Sequence, residues 1–515
     1  MRQAFTPLRL VGLIIGIAFA FPAAFVVWRT VQLNPDLGDT LSEVADPLWR
    51  TVQLSILVSV STAALGTVLA WLTARTDLPG RGAWRVLLVL PLALPSFVGA
   101  AAFITGLAPG GFLHEALGTI GVTPPRRFRG LGASWLVLTL FTYPYVMLPV
   151  AARLRALRPS LEESARVLGL SPSQAFLRIT LPQLRPAVLG GTLLVFLYSL
   201  SEFGAVQLLG YDTLTRVIFS TRQVDRALSF ASACVLLALA LVVVAMERRF
   251  RGPAAPDTRA TAGGRPVELH GWRWPALALS ALVVACGLVA PLASLAGWAR
   301  KGLSDGRVNL GDLVDPAATT TTIALVTAVV TVAVVLPVAT ATTRDPHPLS
   351  TGSASAIVAG FAMPGLVIAL ALAVLALNTS ALNPLYQTLP LLVAGYVIHF
   401  GSQALAGSEQ AVRAVPVRLR EQSQLLEPSR IRRLWKVDLP IMRPGLLAGG
   451  GLVLLATVKE LPVTLLLSPI GFTTLATDIW SSYGEGFYAA TGLSSLALVA
   501  VSGLLTWLLV VRHSD

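Results

Sequence analysis

The sequence predicts an all-α polytopic membrane protein of about twelve transmembrane helices, arranged as two parallel six-helix repeats. Three observations carry this: composition, the recurrence of long apolar runs, and a repeat linking the two halves. Of 515 residues, 54% are hydrophobic and 13% charged, against roughly a quarter charged in a soluble protein. Runs of about 20 apolar residues are long enough to cross a bilayer. Leu10–Trp28, Thr51–Ala74, Leu136–Ala152, Phe230–Met246, Pro275–Trp298, Thr319–Thr342 and Ala489–Val511 are examples of twelve such segments. A soluble helical protein would need charged outer faces, which this chain lacks.

The first run follows Arg2 and Arg9 and has the look of a leader, but eleven further spans make an uncleaved anchor the expectation. The net charge of +13 sits in loops, not on one soluble basic face, so nucleic acid is not an expected partner. With the N-terminus inside, alternate loops gather Arg75, Arg81, Arg85, Arg153, Arg155, Arg178, Arg344, Arg413, Arg432 and Arg433 on one side. Asp36, Asp39, Glu43, Asp305 and Asp312 fall on the other. The positive-inside rule therefore predicts cytoplasmic N- and C-termini in a multi-pass inner-membrane protein. Arg126, Arg127 and Arg129 run against that pattern. Cys234 and Cys286 lie within spans and read as packing residues.

The halves repeat. Glu163, Leu181, Pro182, Arg185 and Pro186 recur 258 residues later as Glu421, Leu439, Pro440, Arg443 and Pro444. Gly191 and Glu202 meet Gly449 and Glu460 at the same step. Earlier, Thr51, Arg75 and Pro95 meet Thr320, Arg344 and Pro364 at a step of 269. Six spans per half is an even number, so both halves share one orientation. The expected organisation is a first half at 1–246, a Pro/Gly/Ala/Arg-rich cytoplasmic linker at 247–273, and a second half at 274–515.

The loop at 159–186 is polar yet organised. Ser160 and Glu163 form a capping box at the start of a helix. Leu161, Ala165 and Leu168 share one face of it, and Gly169 suits the left-handed position that ends it. Ser171, Pro172 and Gln174 start a second helix, expected to run to about Thr180 and to be stopped by Pro182. The second loop, at 416–444, keeps Glu421-Gln422-Ser423 but has Glu427-Pro428 where the first has its Gly. Pro428 still ends a helix, and Ser429 can cap the next.

The run Glu163-Ser164-Ala165, three residues, Gly169, nine residues, Ile179, one residue, Leu181-Pro182 resembles the EAA loop of binding-protein-dependent ABC importer permeases. The resemblance implies that Glu163, Ser164, Ala165, Gly169, Ile179, Leu181 and Pro182 form a coupling loop that docks on an ATP-hydrolysing subunit. Glu421, Gln422, Ser423, Glu427, Leu439 and Pro440 form the second, with coupling that can differ between halves. It also implies an extracytoplasmic substrate-binding protein as partner. The three lysines, Lys301, Lys436 and Lys459, never follow a Gly, so there is no phosphate-binding Gly-Lys-Ser/Thr loop. ATP is expected to be bound and hydrolysed by a separate subunit dimer. The five scattered histidines show no metal or nucleophile spacing; no cofactor, resident metal or catalytic residue of the chain's own is expected.

Ionisable groups inside spans are pathway candidates: Glu202 and Glu460 at matching repeat positions, with Asn378, Asn383, Tyr143 and Tyr145 as weaker ones. Fused chains of this length with two such loops resemble the ferric iron and thiamine importer permeases. A ferric iron permease is therefore the expectation, with thiamine next and polyamine, phosphonate or sulfate behind. Carboxylate oxygens would suit a hard cation. An ion-driven secondary transporter, also built from parallel six-span halves, has only the loop Arg75–Arg81 in its favour and leaves the repeated hairpin unexplained.

Overall fold

The computed structural model describes residues 7–34, 36–123, 127–157, 164, 167–250, 267–426 and 429–506. Among these, ten helices are long and apolar enough to cross a membrane, and two further helix pairs pass the same test together. The order begins α1 (Pro7–Leu33), α2 (Leu37–Arg75), the bent pair α3 (Arg81–Ala93) and α4 (Ser96–Leu107), α5 (Leu131–Ala156) and α6 (Phe176–Ser201). Two short helices, α7 (Gly204–Leu208) and α8 (Leu214–Thr221), lead to α9 (Arg226–Phe250). The second half repeats this as α10 (His270–Ser304), α11 (Leu310–Arg344), the bent pair α12 (Pro348–Ala362) and α13 (Gly365–Asn378), α14 (Leu389–Arg413) and α15 (Leu434–Val458). The short α16 (Pro462–Leu467) and α17 (Leu475–Gly484) precede α18 (Tyr488–Thr506).

The bent pairs turn by 91° and 105°. Each bend sits where a residue precedes a proline. Leu94 before Pro95 has φ −85°, ψ 125°, and Met363 before Pro364 has φ −74°, ψ 127°. The proline ring excludes helical geometry from the residue before it, so both copies break at the same repeat step.

The compact units do not coincide with the sequence halves. One comprises Met1–Leu41, Ile218–Leu237 and Gly306–Asp515; the other comprises Ser42–Val217 and Ala238–Asp305. The first span of each half thus belongs to the unit built mainly from the other half. In the first unit, α1 packs on α11, α12 and α13. The approach is close because Gly16 lies against Ser353: a Cβ there would stand 2.8 Å from the Ser353 Cα. Phe19, 1% exposed, fills the space left by Gly401, where a Cβ would meet its ring at 2.3 Å. In the second unit, Trp298 Nε1 of α10 donates to the Thr105 carbonyl at 3.0 Å, and Ser294 packs against Gly106. Small residues of this kind set helix approach in lipid, where apolar burial between helices gains little. Ile14, Ile17 and Val329, all more than half exposed, are suited to the hydrocarbon.

Candidate coupling hairpins and the capping carboxylates

Of the first hairpin, Glu163 and Ala165 lie outside the described residues, as do Ser160 and Leu161. Ser164 is exposed, and its carbonyl accepts from the Leu168 N–H at 3.1 Å. Gly169 has φ +90° and nothing within 4 Å of a Cβ. Its role is set by backbone conformation, which L side chains disfavour. Ser171 and Gln174 then cap the next helix reciprocally: Ser171 N–H donates to Gln174 Oε1 at 3.1 Å, and Gln174 N–H to Ser171 Oγ at 3.3 Å. Val167 and Leu168 beside the bend are 87% and 84% exposed. Burial elsewhere would stabilise each by roughly 1.5–3 kcal/mol, so this apolar tip is suited to a partner.

Pro182 does not stop the second helix, contrary to the expectation from sequence. Helix begins at Pro172, passes through a π-turn at Phe176–Thr180 and continues as α6 to Ser201. In the π-turn the Leu181 N–H bonds five residues back, to the Phe176 carbonyl. The extra residue absorbs the missing proline N–H without breaking the rod. The Ile179 carbonyl accepts instead from the Gln183 side chain at 2.9 Å. Ile179, Leu181 and Pro182 are all half-buried.

The second hairpin has the same construction. A helix spans Val417–Leu426, with Glu421 and Gln422 exposed and Ser423 buried. Glu427 and Pro428 lie outside the described residues. Ser429 Oγ accepts from the Arg432 N–H at 3.4 Å. A π-turn at Leu434–Asp438, 258 residues after the first, precedes Leu439 and Pro440. Val417 and Trp435 are 68% and 66% exposed.

A carboxylate follows the end of each helix that carries a hairpin, Glu202 directly after α6 and Glu460 two residues after α15. Glu202 closes α6, is 7% exposed, and its Oε1 accepts from the Ala205 N–H of α7 at 2.9 Å. Its Oε2 accepts from Ser96 Oγ at 2.8 Å, and Tyr198 OH donates to that hydroxyl at 3.1 Å. Glu460 does the same for α16, accepting from the Val463 N–H at 2.9 Å. Both therefore cap a short helix after a break, satisfying N–H groups that have no intrahelical partner. Gly365 stands where the first half has Ser96, so the second carboxylate is offered no hydroxyl there; a Cβ on Gly365 would lie 3.1 Å from Glu460 Oε1. Two of the weaker candidates are hydrogen-bonded to backbone: Tyr143 OH donates to the Leu88 carbonyl at 2.6 Å, and Asn378 Nδ2 to the Val374 carbonyl at 2.7 Å. Among the described residues no group of three or more His, Cys, Asp or Glu side chains could hold a metal ion.

Sequence reasoning missed the Arg344–Asp438 ion pair, 3.5 Å, at the root of the second hairpin. One acid at the foot of a basic loop, with an Arg at the matched step in both halves, was the available signal.

The model described as "Binding-protein-dependent transport system inner membrane component" matches residues 64–251 and again residues 333–512. The chain is 28% identical over 515 residues to the Fe(3+)-transport system permease protein FbpB 2 of Haemophilus influenzae, covering 98% of this chain and 97% of that protein. It is 34% identical over 168 residues to the molybdenum transport system permease protein ModB of Escherichia coli, covering 32% of this chain and 72% of that one. The sulfate transport system permease protein CysT of Salmonella typhimurium is 28% identical over 201 residues, covering 38% and 72%. With one match in each half, together spanning more than half of its length, the chain belongs to the binding-protein-dependent transport system inner membrane component family.

Proposed function

We propose that this ABC importer permease moves ferric iron across the cytoplasmic membrane. The observation that carries the cargo is the full-length similarity to an Fe(3+) permease, extending over both halves and the linker between them. The sulfate and molybdenum permeases match about a third of the chain. The family works with an ATPase and a binding protein; here we assign one ATPase copy to each hairpin. Val167 and Leu168 of the first, and Val417 and Trp435 of the second, supply the apolar contact. Glu202 and Glu460 enter this reading as caps that shape the break after each hairpin-bearing helix.

The orientation follows from charge. Arg81 and Arg85 open the first bent pair, and Arg153 and Arg155 end α5. For both clusters to be cytoplasmic, two crossings must separate them. One is α5; the bent pair α3–α4 is the other, a broken span and not a re-entrant loop. The N- and C-termini are then cytoplasmic.

Cells lacking the chain test the cargo, given labelled ferric iron, thiamine, sulfate or molybdate and complemented with wild type or Gly169→Pro. Iron uptake that is lost, restored by wild type and not by the variant at equal membrane abundance, is expected. Loss of another cargo with iron uptake intact would replace the assignment. Full rescue by the variant would count against coupling through the first hairpin.

A further inference from the structure

In each compact unit, the arginine that ends the second span touches the root of a hairpin. An acid one or two residues later grips the first span of the other half. In the first unit Arg344 ends α11 and pairs with Asp438 in the π-turn below the second hairpin, at 3.5 Å. Its neighbour Asp345 accepts from Arg9 of α1 through two bonds, Nε to Oδ2 at 2.6 Å and Nη2 to Oδ1 at 2.5 Å. The Arg9 side chain is 10% exposed. In the second unit Arg75 ends α2, and its Nη2 donates to the carbonyl of Leu157, the last described residue before the first hairpin, at 3.3 Å. Two residues on, Asp77 pairs with Arg273 in α10 and accepts from the Leu269 N–H at 2.9 Å. The chain at Val267 is clipped to the same turn by Val267 N–H to the Arg75 carbonyl at 2.8 Å and Asp77 N–H to the Val267 carbonyl at 3.1 Å.

Four arginines and three acids thus recur in one arrangement, built from different sequence neighbours in the two units. A fork-shaped Arg–carboxylate pair fixes direction as well as distance. We propose that Arg344-Asp345 and Arg75-Asp77 are positioning residues that carry movement of each coupling hairpin to the exchanged first span of its unit, α1 or α10. This rests on the reading that the hairpins dock on an ATPase. A hairpin displaced by its partner pulls on Asp438 or Leu157, hence on the arginine, and hence on the acid that holds the exchanged span. Helix-end shifts passed through packed elements with two arrangements are a known form of such linkage.

The test uses the full chain purified with its co-expressed ATPase in nanodiscs, with Cys234 and Cys286 replaced by alanine. Spin labels are placed at Val31 on α1 and at Ile470, both well exposed. The distance between them is measured without nucleotide and with ATP plus vanadate. A nucleotide-dependent change is expected in wild type and in the charge-reversed pair Arg9→Asp/Asp345→Arg. It should be lost in Asp345→Asn and in Arg344→Gln, with the ATPase still co-purifying. Arg344→Gln separates a relay from a simple clasp, since it leaves Arg9–Asp345 in place. An undiminished change in either Arg344→Gln or Asp345→Asn, with ATPase bound, would overturn the relay alone. Failure of the ATPase to co-purify with wild type would overturn the docking reading and the relay with it.

Discussion

Thr51 Oγ1 accepts the Leu214 N–H at 2.9 Å across 163 residues of chain, and donates to the Pro47 carbonyl at 2.7 Å. The second half repeats the relationship with Thr320, which accepts from Leu475 N–H at 2.8 Å and donates to the Pro316 carbonyl at 2.6 Å. In both, a buried hydroxyl closes the open N-terminus of a short helix, α8 or α17. Replacement by valine keeps the shape and strands a buried N–H, at a cost of about 1–3 kcal/mol. Thr51→Val and Thr320→Val should each lower the melting temperature in detergent, and Thr→Ser at either site should restore most of it. Equal melting of valine and serine variants would show that the bond carries little.

The capping geometry of Glu202 separates two roles for that carboxylate. Its Oε1 holds the Ala205 N–H and its Oε2 the Ser96 hydroxyl. A glutamine keeps an acceptor oxygen for the cap, whereas leucine leaves the donor unsatisfied. Glu202→Gln should retain folding and uptake to within a few-fold, and Glu202→Leu should lower abundance and melting temperature. Uptake abolished in Glu202→Gln at wild-type abundance would instead make the charge itself part of the passage.

The spans, the repeat and the hairpin chemistry were legible because each depends on local pattern. Apolar run length fixes a span, Gly169 marks a left-handed backbone, and Ser171 with Gln174 marks a cap. Pro95 and Pro364 were visible at matched steps, but the sharp bends need knowledge of the extended residue before each. The π-turn at Phe176–Thr180 has no compositional mark, and Pro182 read as a stop because an α-helix cannot normally hold it. The exchange of first spans was not legible at all. The face of α1 that meets Ser353 looks no different in sequence from one that would meet its own half, since lipid-soluble helices carry little pattern in hydropathy. Among the described residues its ionic marks are Arg9 with Asp345, 336 residues apart, and Asp77 with Arg273, 196 residues apart, and neither pair is visible as a pair in the sequence.

Close helix approach can be tested by comparing two glycines. A Cβ on Gly407 of α14 would fall 2.6 Å from the Gly449 Cα and 2.9 Å from the Gly445 carbonyl, both backbone of α15. A Cβ on Gly450 would meet only the Val332 side chain, at 3.4 Å. Alanine gains up to about 1 kcal/mol in helix propensity at either place, but forced overpacking costs roughly 1–3 kcal/mol. Gly407→Ala should therefore destabilise the protein in a thermal assay, and Gly450→Ala should be neutral or stabilising. The opposite order would mean that α14 and α15 do not approach as closely as described.

The clasp in the second unit should respond to pH in a fixed direction. Two interactions, the Leu269 N–H and then the Arg273 guanidinium, hold the Asp77 carboxyl below its ordinary value of 3.8. A folded value below the unfolded one means that the carboxylate contributes stability above the unfolded value, and that this is lost as pH falls through the folded one. Asp77→Asn removes the charge at every pH. The gap in melting temperature between wild type and Asp77→Asn should therefore be widest and flat around neutrality, and should narrow only in the acid range below the ordinary carboxylate value. Asp345, held low chiefly by Arg9, should give the same profile with Asp345→Asn. A gap that narrowed on raising the pH from neutrality would assign the difference to some other group.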